Sequence, residues 1–185
     1  MKKYLLLPFV LFIAGFYYLA DVFIEDENFR VMEPEQVYRA AQISQDNWPK
    51  IYHKVAFKSV LNLRGANPDQ EWYKDEMAFA ATHGIQHVDM ALSARKEPDM
   101  PTMEHLVETM RQAPKPLLIH CKQGADRSGL ASALYAYAVL GRPAQKAADQ
   151  LSIRYGHFPW LTSETGAMDK AFTAYVQAHP QPGRQ

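Results

Sequence analysis

Residues 116–140 constrain this chain more than any other stretch. Residues 116–120, Pro-Leu-Leu-Ile-His, are an apolar run with the length of a buried strand, and residues 128–140 are rich in alanine and leucine and stop at Gly141. A strand followed at once by a helix is the start of a parallel crossover, so the segment predicts an α/β domain. The join is the loop His120-Cys121-Lys122-Gln123-Gly124-Ala125-Asp126-Arg127-Ser128-Gly129. A loop in that place turns its backbone N–H groups inward as an anion nest, and the following helix adds the positive end of its dipole.

The side chains of the loop suit that nest. Arg127, at the junction with the helix, offers a planar fork that binds two oxygens of a phosphate at once and stabilises charge in a transition state. The same positive surroundings lower the pKa of Cys121, which makes it a thiolate able to attack phosphorus. Gly124 meets the need for positive φ or close approach of a ligand, and Ser128 hydrogen-bonds the sulfur and helps it leave. Lys122, Gln123, Gly124, Ala125, Asp126 and Arg127 are the residues expected around the phosphate. His120 is expected to buttress the loop. Cys121 is the sole cysteine, so neither an internal disulfide nor a thiol-rich zinc site is available.

The chain of 185 residues has room for one domain and a short appendage, and its 48% apolar and 22% charged residues are those of a globular protein. Its net charge of zero excludes bulk attraction to polyanions, so no nucleic-acid partner is expected and phosphate recognition must be local. From residue 35 onward strand and helix patterns alternate, which predicts a mainly parallel central sheet of four to five strands flanked by helices. Strands are expected over 37–40, at an edge, and over 57–63, 85–90 and 116–120. Helices are expected over 69–83, over 102–111 with Thr102 as cap, over 128–140, from Pro143 to about 155, and from a Ser163 cap to about 178.

The first residues read differently. Lys2 and Lys3 precede an apolar run over 4–20, near the lower length for crossing a bilayer. Tyr18 does not suit signal cleavage, whereas Tyr17 and Tyr18 suit a membrane interface, which favours an uncleaved anchor over a cleaved signal. The expected organisation is an N-terminal membrane anchor or signal over 1–24, a linker over 25–34 and a catalytic domain over 35–180. The domain would be membrane-anchored by this single helix and extracytoplasmic, periplasmic in a bacterium.

The string from His120 to Gly129 resembles the signature of the protein tyrosine and dual-specificity phosphatases. Val37-Tyr38-Arg39-Ala40-Ala41-Gln42, Lys58-Ser59-Val60-Leu61-Asn62-Leu63-Arg64, Lys96-Glu97-Pro98 and Pro116-Leu117-Leu118-Ile119-His120 are similar to the plant and fungal atypical dual-specificity phosphatases and their bacterial membrane-anchored relatives, over about residues 35–156. The resemblance implies a dual-specificity phosphatase-like fold and a cofactor-free phosphomonoester hydrolase acting through a cysteinyl-phosphate on Cys121. It implies a phosphorylated protein or small phosphorylated molecule as partner: phosphotyrosine, or inositol polyphosphates and pyrophosphates. A lipid phosphatase and a non-catalytic phospho-ligand-binding module are the alternatives. Ala125 and Asp126 stand where those relatives often carry lysine and histidine.

Release of the alcohol needs a proton donor, and Asp89, Glu97, Asp99 and Asp126 compete. Asp126, inside the loop, is favoured, followed by Asp99 in the loop before the Thr102 helix. Arg39, Arg64 and Lys96 are expected at the pocket mouth, binding further phosphates. His83, His87 and His105 are expected on scattered surfaces, and the histidine spacing predicts no metal site.

Overall fold

The computed structural model describes residue 10, residues 27–159 and residues 166–181. Apart from Val10, the anchor expected over 1–24 lies outside these residues, as does the Ser163 cap. Among the described residues no helix is long and apolar enough to cross a membrane, and the expectation of a membrane-anchored, extracytoplasmic domain is corrected on that finding.

Five strands and six α-helices are found among the described residues, in the order β1 (Arg30–Glu33), β2 (Val37–Ala40), α1 (Trp48–Lys54), β3 (Ser59–Asn62), α2 (Glu71–Thr82), β4 (Gln86–Asp89), α3 (Met100–Gln112), β5 (Leu117–His120), α4 (Asp126–Leu134), α5 (Ala144–Ala148) and α6 (Ala167–Ala178). One π-helical turn (Tyr135–Val139) and one 3-10 turn (Ile153–Tyr155) complete the set. The sheet order is β1-β2-β5-β3-β4; β2, β5, β3 and β4 run parallel, and β1 is antiparallel to β2. The sheet is therefore mixed, and β2 lies inside it rather than at its edge. Arg30–Glu33, within the stretch read as linker, supplies that outer strand.

Side chains alternate across the pleat, so each central strand feeds two cores. Val37, Leu61, Leu117 and Ile119 pack on one face with Met103 and Leu106 of α3, Leu130 and Leu134 of α4 and Phe172 of α6. Tyr38, Val60 and Leu118 pack on the other with Trp48 and Ile51 of α1 and Ala80 of α2. Helix α4 is buried all round from Ser128 to Leu134, which explains why its sequence lacks a polar stripe. It is shorter than expected, because Leu140 N donates to Tyr135 O and opens the last turn into a π-helix. The next helix is likewise short: the stretch expected to be helical from Pro143 to 155 divides into α5 and the 3-10 turn. Helix α3 begins earlier than expected, since Asp99 rather than Thr102 is its N-cap, accepting from Thr102 N at 2.9 Å.

The carboxyl ends of β2, β3 and β5 meet at one rim, where open α/β sheets place their ligands. The loop after β5 begins there.

Candidate active site

Strand β5 delivers Cys121 to the rim, and α4 starts at Asp126, so residues 121–125 close in a single tight turn. Gly124 has φ +70°, and a Cβ there would lie 2.7 Å from Ala41 N and 2.8 Å from Ala40 C. Only glycine lets the turn press against the end of β2. Gly129 plays a related part in the first turn of α4, where a Cβ would meet Leu151 Cδ2 at 2.9 Å and Gln150 O at 3.1 Å.

The turn is held from below by Arg39 of β2. This side chain is fully buried, contrary to the expectation that it lines the pocket mouth. Its Nη2 donates to Gly124 O at 2.9 Å and Ala125 O at 3.0 Å, its Nη1 donates to Gln150 O at 2.8 Å and Gln150 Oε1 at 3.1 Å, and its guanidinium lies 4.2 Å from the Tyr155 ring centre. Burial lowers its pKa to about 10, which leaves it charged at neutral pH. A trans peptide carries its C=O and N–H on opposite sides. Drawing the Gly124 and Ala125 carbonyls down onto Arg39 therefore turns the N–H groups of Ala125 and Asp126 the other way. Asn28 adds a second tie, its Nδ2 donating to Gln123 O at 3.1 Å and Tyr155 O at 2.9 Å.

Cys121 is buried, with its sulfur 3.5 Å from Ser128 Oγ. Burial pushes the thiol pKa up. The Arg127 guanidinium, the Ser128 hydroxyl and the backbone N–H groups of Ser128 and Gln123 outweigh it, and the net shift is downward. Arg127 is half-buried, and its Nη1 donates to Leu63 O at 3.2 Å and Leu92 O at 3.3 Å. Its Nε is buried without a hydrogen-bond partner among the described residues. Lys122 and Gln123 are exposed, and Ala125 is buried.

Behind the loop, Glu76 of α2 is wholly buried. Its Oε1 lies 2.9 Å from His120 Nε2 and 2.7 Å from His87 Nε2, and its Oε2 accepts from Gln42 Nε2 at 2.7 Å. Burial pushes the Glu76 pKa up, but the two histidines and Gln42 pull it well below the usual carboxylate range. His120, expected to buttress the loop, is wholly buried and meets this carboxylate. His87, expected on the surface, belongs to the same cluster. Gln42 continues the chain by accepting from Arg64 Nη1 at 3.0 Å, and Arg64 stacks 3.6 Å from the Trp72 ring centre. Burial and then the Arg127 charge lower the Arg64 pKa, which marks two guanidinium groups sharing one electrostatic neighbourhood.

The candidate acids divide. Asp126 Oδ1 lies 2.7 Å from Nδ1 of His157, a buried side chain whose Nε2 is 2.8 Å from Asp169 Oδ2 on α6. Asp99 is exposed and caps α3, and hydrogen bonds from Thr102 lower its pKa. Asp89 accepts from Asn62 Nδ2 at 2.8 Å and from the Tyr73 hydroxyl, and Glu97 faces Lys170 across 3.9 Å on the surface. Asn28, Glu76, Gln150, His157 and Asp169 were not assigned to this site from sequence, and Arg39 was assigned to its mouth rather than to its base. The motif signals only its own string, and these partners come from six separate elements and turns. Among the described residues no group of three or more His, Cys, Asp and Glu side chains is arranged to hold a metal ion.

Comparison with known proteins agrees with this geometry. Residues 11–166 match the model of a family described as "DSP-PTPase phosphatase fused to NAD+ Kinase". The inositol diphosphatase SIW14 of Saccharomyces cerevisiae is 29% identical over 111 residues, 57% of this chain; the chain spans 38% of the length of that relative. The crystal structure of the SIW14 catalytic core in complex with citrate superposes with a TM-score of 0.60 at 20% identity, covering 86% of this chain and 96% of that one. TpbA of P. aeruginosa gives 0.56 at 21%, covering 80% and 91%. At such identities the two structures show a shared fold.

Proposed function

The chain belongs to the family described as DSP-PTPase phosphatase fused to NAD+ kinase, and on that premise we propose that it hydrolyses phosphate monoesters through a cysteinyl-phosphate on Cys121. The observation that carries the proposal is the placement of the Cys121 sulfur, 3.5 Å from Ser128 Oγ, beneath a turn whose carbonyls are drawn onto Arg39 and whose amides face away from it. The thiolate attacks phosphorus in line with the ester oxygen, the S–P bond forms, and the P–O bond to the alcohol breaks. Arg127 holds two equatorial oxygens, and the amides of the turn take up the charge that develops on them. Lys122, Gln123, Gly124 and Ala125 line the phosphate through their backbone. Asp126 gives the departing oxygen its proton, with Asp99 as the alternative donor. Water then attacks the phosphocysteine, the S–P bond breaks, and Ser128 hydrogen-bonds the sulfur as it leaves. A domain over residues 35–180 would carry all of this.

The test is turnover of p-nitrophenyl phosphate by the full chain. Loss of at least 10³-fold is expected in Cys121→Ser, on the order of what removing a covalent nucleophile costs. Turnover that persists in that variant would overturn the proposal. Asp126→Asn should cost far more with a poor leaving group than with p-nitrophenolate; if Asp99→Asn behaves this way instead, the donors exchange roles.

A second reading concerns the substrate. SIW14 is an inositol diphosphatase, and TpbA has been crystallised in complex with pTyr. Arg64, beside Arg127 and held by the neutral acceptor Gln42, favours a substrate with a second anionic group. A panel of phosphotyrosine peptide, phosphoserine peptide, phosphoinositide and inositol pyrophosphate decides. Arg64→Ala should lose activity selectively on the polyphosphorylated members.

A further inference from the structure

His157 lies outside the motif, 31 residues after Asp126, yet it is wholly buried and occupied at both ring nitrogens. Nδ1 faces Asp126, the residue beside Arg127 at the start of α4. Nε2 faces Asp169 in the first turn of α6. Burial lowers the pKa of this imidazole, and the bonds to the two carboxylates more than reverse it. Two carboxyl groups from separate helices are thereby joined through one ring. The loop side is the consequential one, because Asp126 and Arg127 are consecutive residues in one helical turn. Fixing the Asp126 carboxylate fixes the backbone from which the Arg127 side chain leaves.

We propose that His157 is a positioning residue for the phosphate site: through Nδ1 it orients Asp126 and the start of α4, while Asp169 braces it from α6. The inference rests on the roles given above to Asp126 and Arg127.

Two substitutions separate positioning from mere packing. In His157→Asn the side-chain amide nitrogen takes the place of Nδ1, so the bond to Asp126 is kept and that to Asp169 is lost. In His157→Gln the amide nitrogen takes the place of Nε2, so the bond to Asp169 is kept and that to Asp126 is lost. Each variant removes one buried side-chain bond, and thermal melting should fall by similar amounts in both. Activity should not. His157→Gln is expected to lower kcat on p-nitrophenyl phosphate by about 10- to 100-fold, the range set by small misplacements of reacting groups, with a smaller change in KM. His157→Asn should retain most of the parent rate. Equal losses in the two variants would show a structural role alone and overturn the proposal.

A second readout does not depend on turnover. In a Cys121→Ser background, inorganic phosphate should bind several-fold more weakly when His157→Gln is added, with little change for His157→Asn. Equal affinities there would also overturn the proposal. Failure of the phosphatase reading itself would appear separately, as turnover that does not depend on Cys121.

Discussion

Changing Arg39 to lysine keeps a positive charge and removes the fork, which makes it the sharpest probe of how the loop is held. The native guanidinium divides its work: Nη1 serves Gln150 O and Oε1, while Nη2 serves the carbonyls of Gly124 and Ala125. An ammonium group is a compact point and cannot reach both sides, so in a site with no exposure at least one pair of acceptors loses its donor. Orphaning two buried carbonyls costs about 1–3 kcal/mol each, and roughly 3 kcal/mol for the pair allows for partial service by lysine and for the Gly129 N–H that Ala125 O also accepts at 2.9 Å. In a domain of this size that corresponds to a Tm lower by about 6–12 °C. Catalysis should suffer more than stability. Peptides freed from Arg39 no longer keep the Ala125 and Asp126 N–H groups turned away from it, and loss of one such donor costs on the order of 10²–10³ in kcat. Differential scanning calorimetry and p-nitrophenyl phosphate kinetics on the same preparation measure both. A variant that melts within about 2 °C of the parent, less than 1 kcal/mol by the same conversion, and turns over at the parent rate refutes the argument.

Two further predictions concern the surroundings of the sulfur. Glu76→Ala removes the shared acceptor of His120, His87 and Gln42, and a loss of about 3–5 kcal/mol in urea unfolding is expected for breaking a buried charged cluster; an unchanged midpoint would mean that these donors find other acceptors. Iodoacetamide reacts with thiolate, so the rate of alkylation of folded Cys121 should reach its plateau at lower pH than in the urea-unfolded chain, because the folded thiol pKa is lowered. Arg127→Gln should move that plateau to higher pH. Coincident titrations of folded parent and unfolded chain would sink this electrostatic account.

The sequence makes the loop legible because Cys121, Gly124, Arg127 and Ser128 act on one ligand from one short segment. Alternation of strand and helix is legible for a similar reason: apolar runs and glycine stops are local signals. What binds the loop from elsewhere is not. Arg39 read as a surface charge because arginine is seldom buried, and no local pattern announces that four acceptors from residues 124, 125 and 150 await it. His157 stands in a stretch without periodicity, so nothing in its neighbours points to carboxylates on α4 and α6. The same limit made β2 an apparent edge. Its cover, Arg30–Glu33, lies in an acidic segment with no alternation, and antiparallel pairing with Val37–Ala40 decides its conformation. At Tyr135 the α-helix gives way to a π turn with neither proline nor glycine to mark the place.

The sheet's two rims bear on how this protein behaves at high concentration. On one side β1 carries Arg30 and Glu33 and a register shift between Val31 and Glu33, a bulge that spoils the regular ladder an incoming chain would need. On the other side β4 is four residues long and places polar Gln86 and Asp89 at exposed positions. Short, charged and irregular borders of this kind discourage self-templating, so β2, β5 and β3 can stay closely stacked in the interior without recruiting neighbours into fibrils.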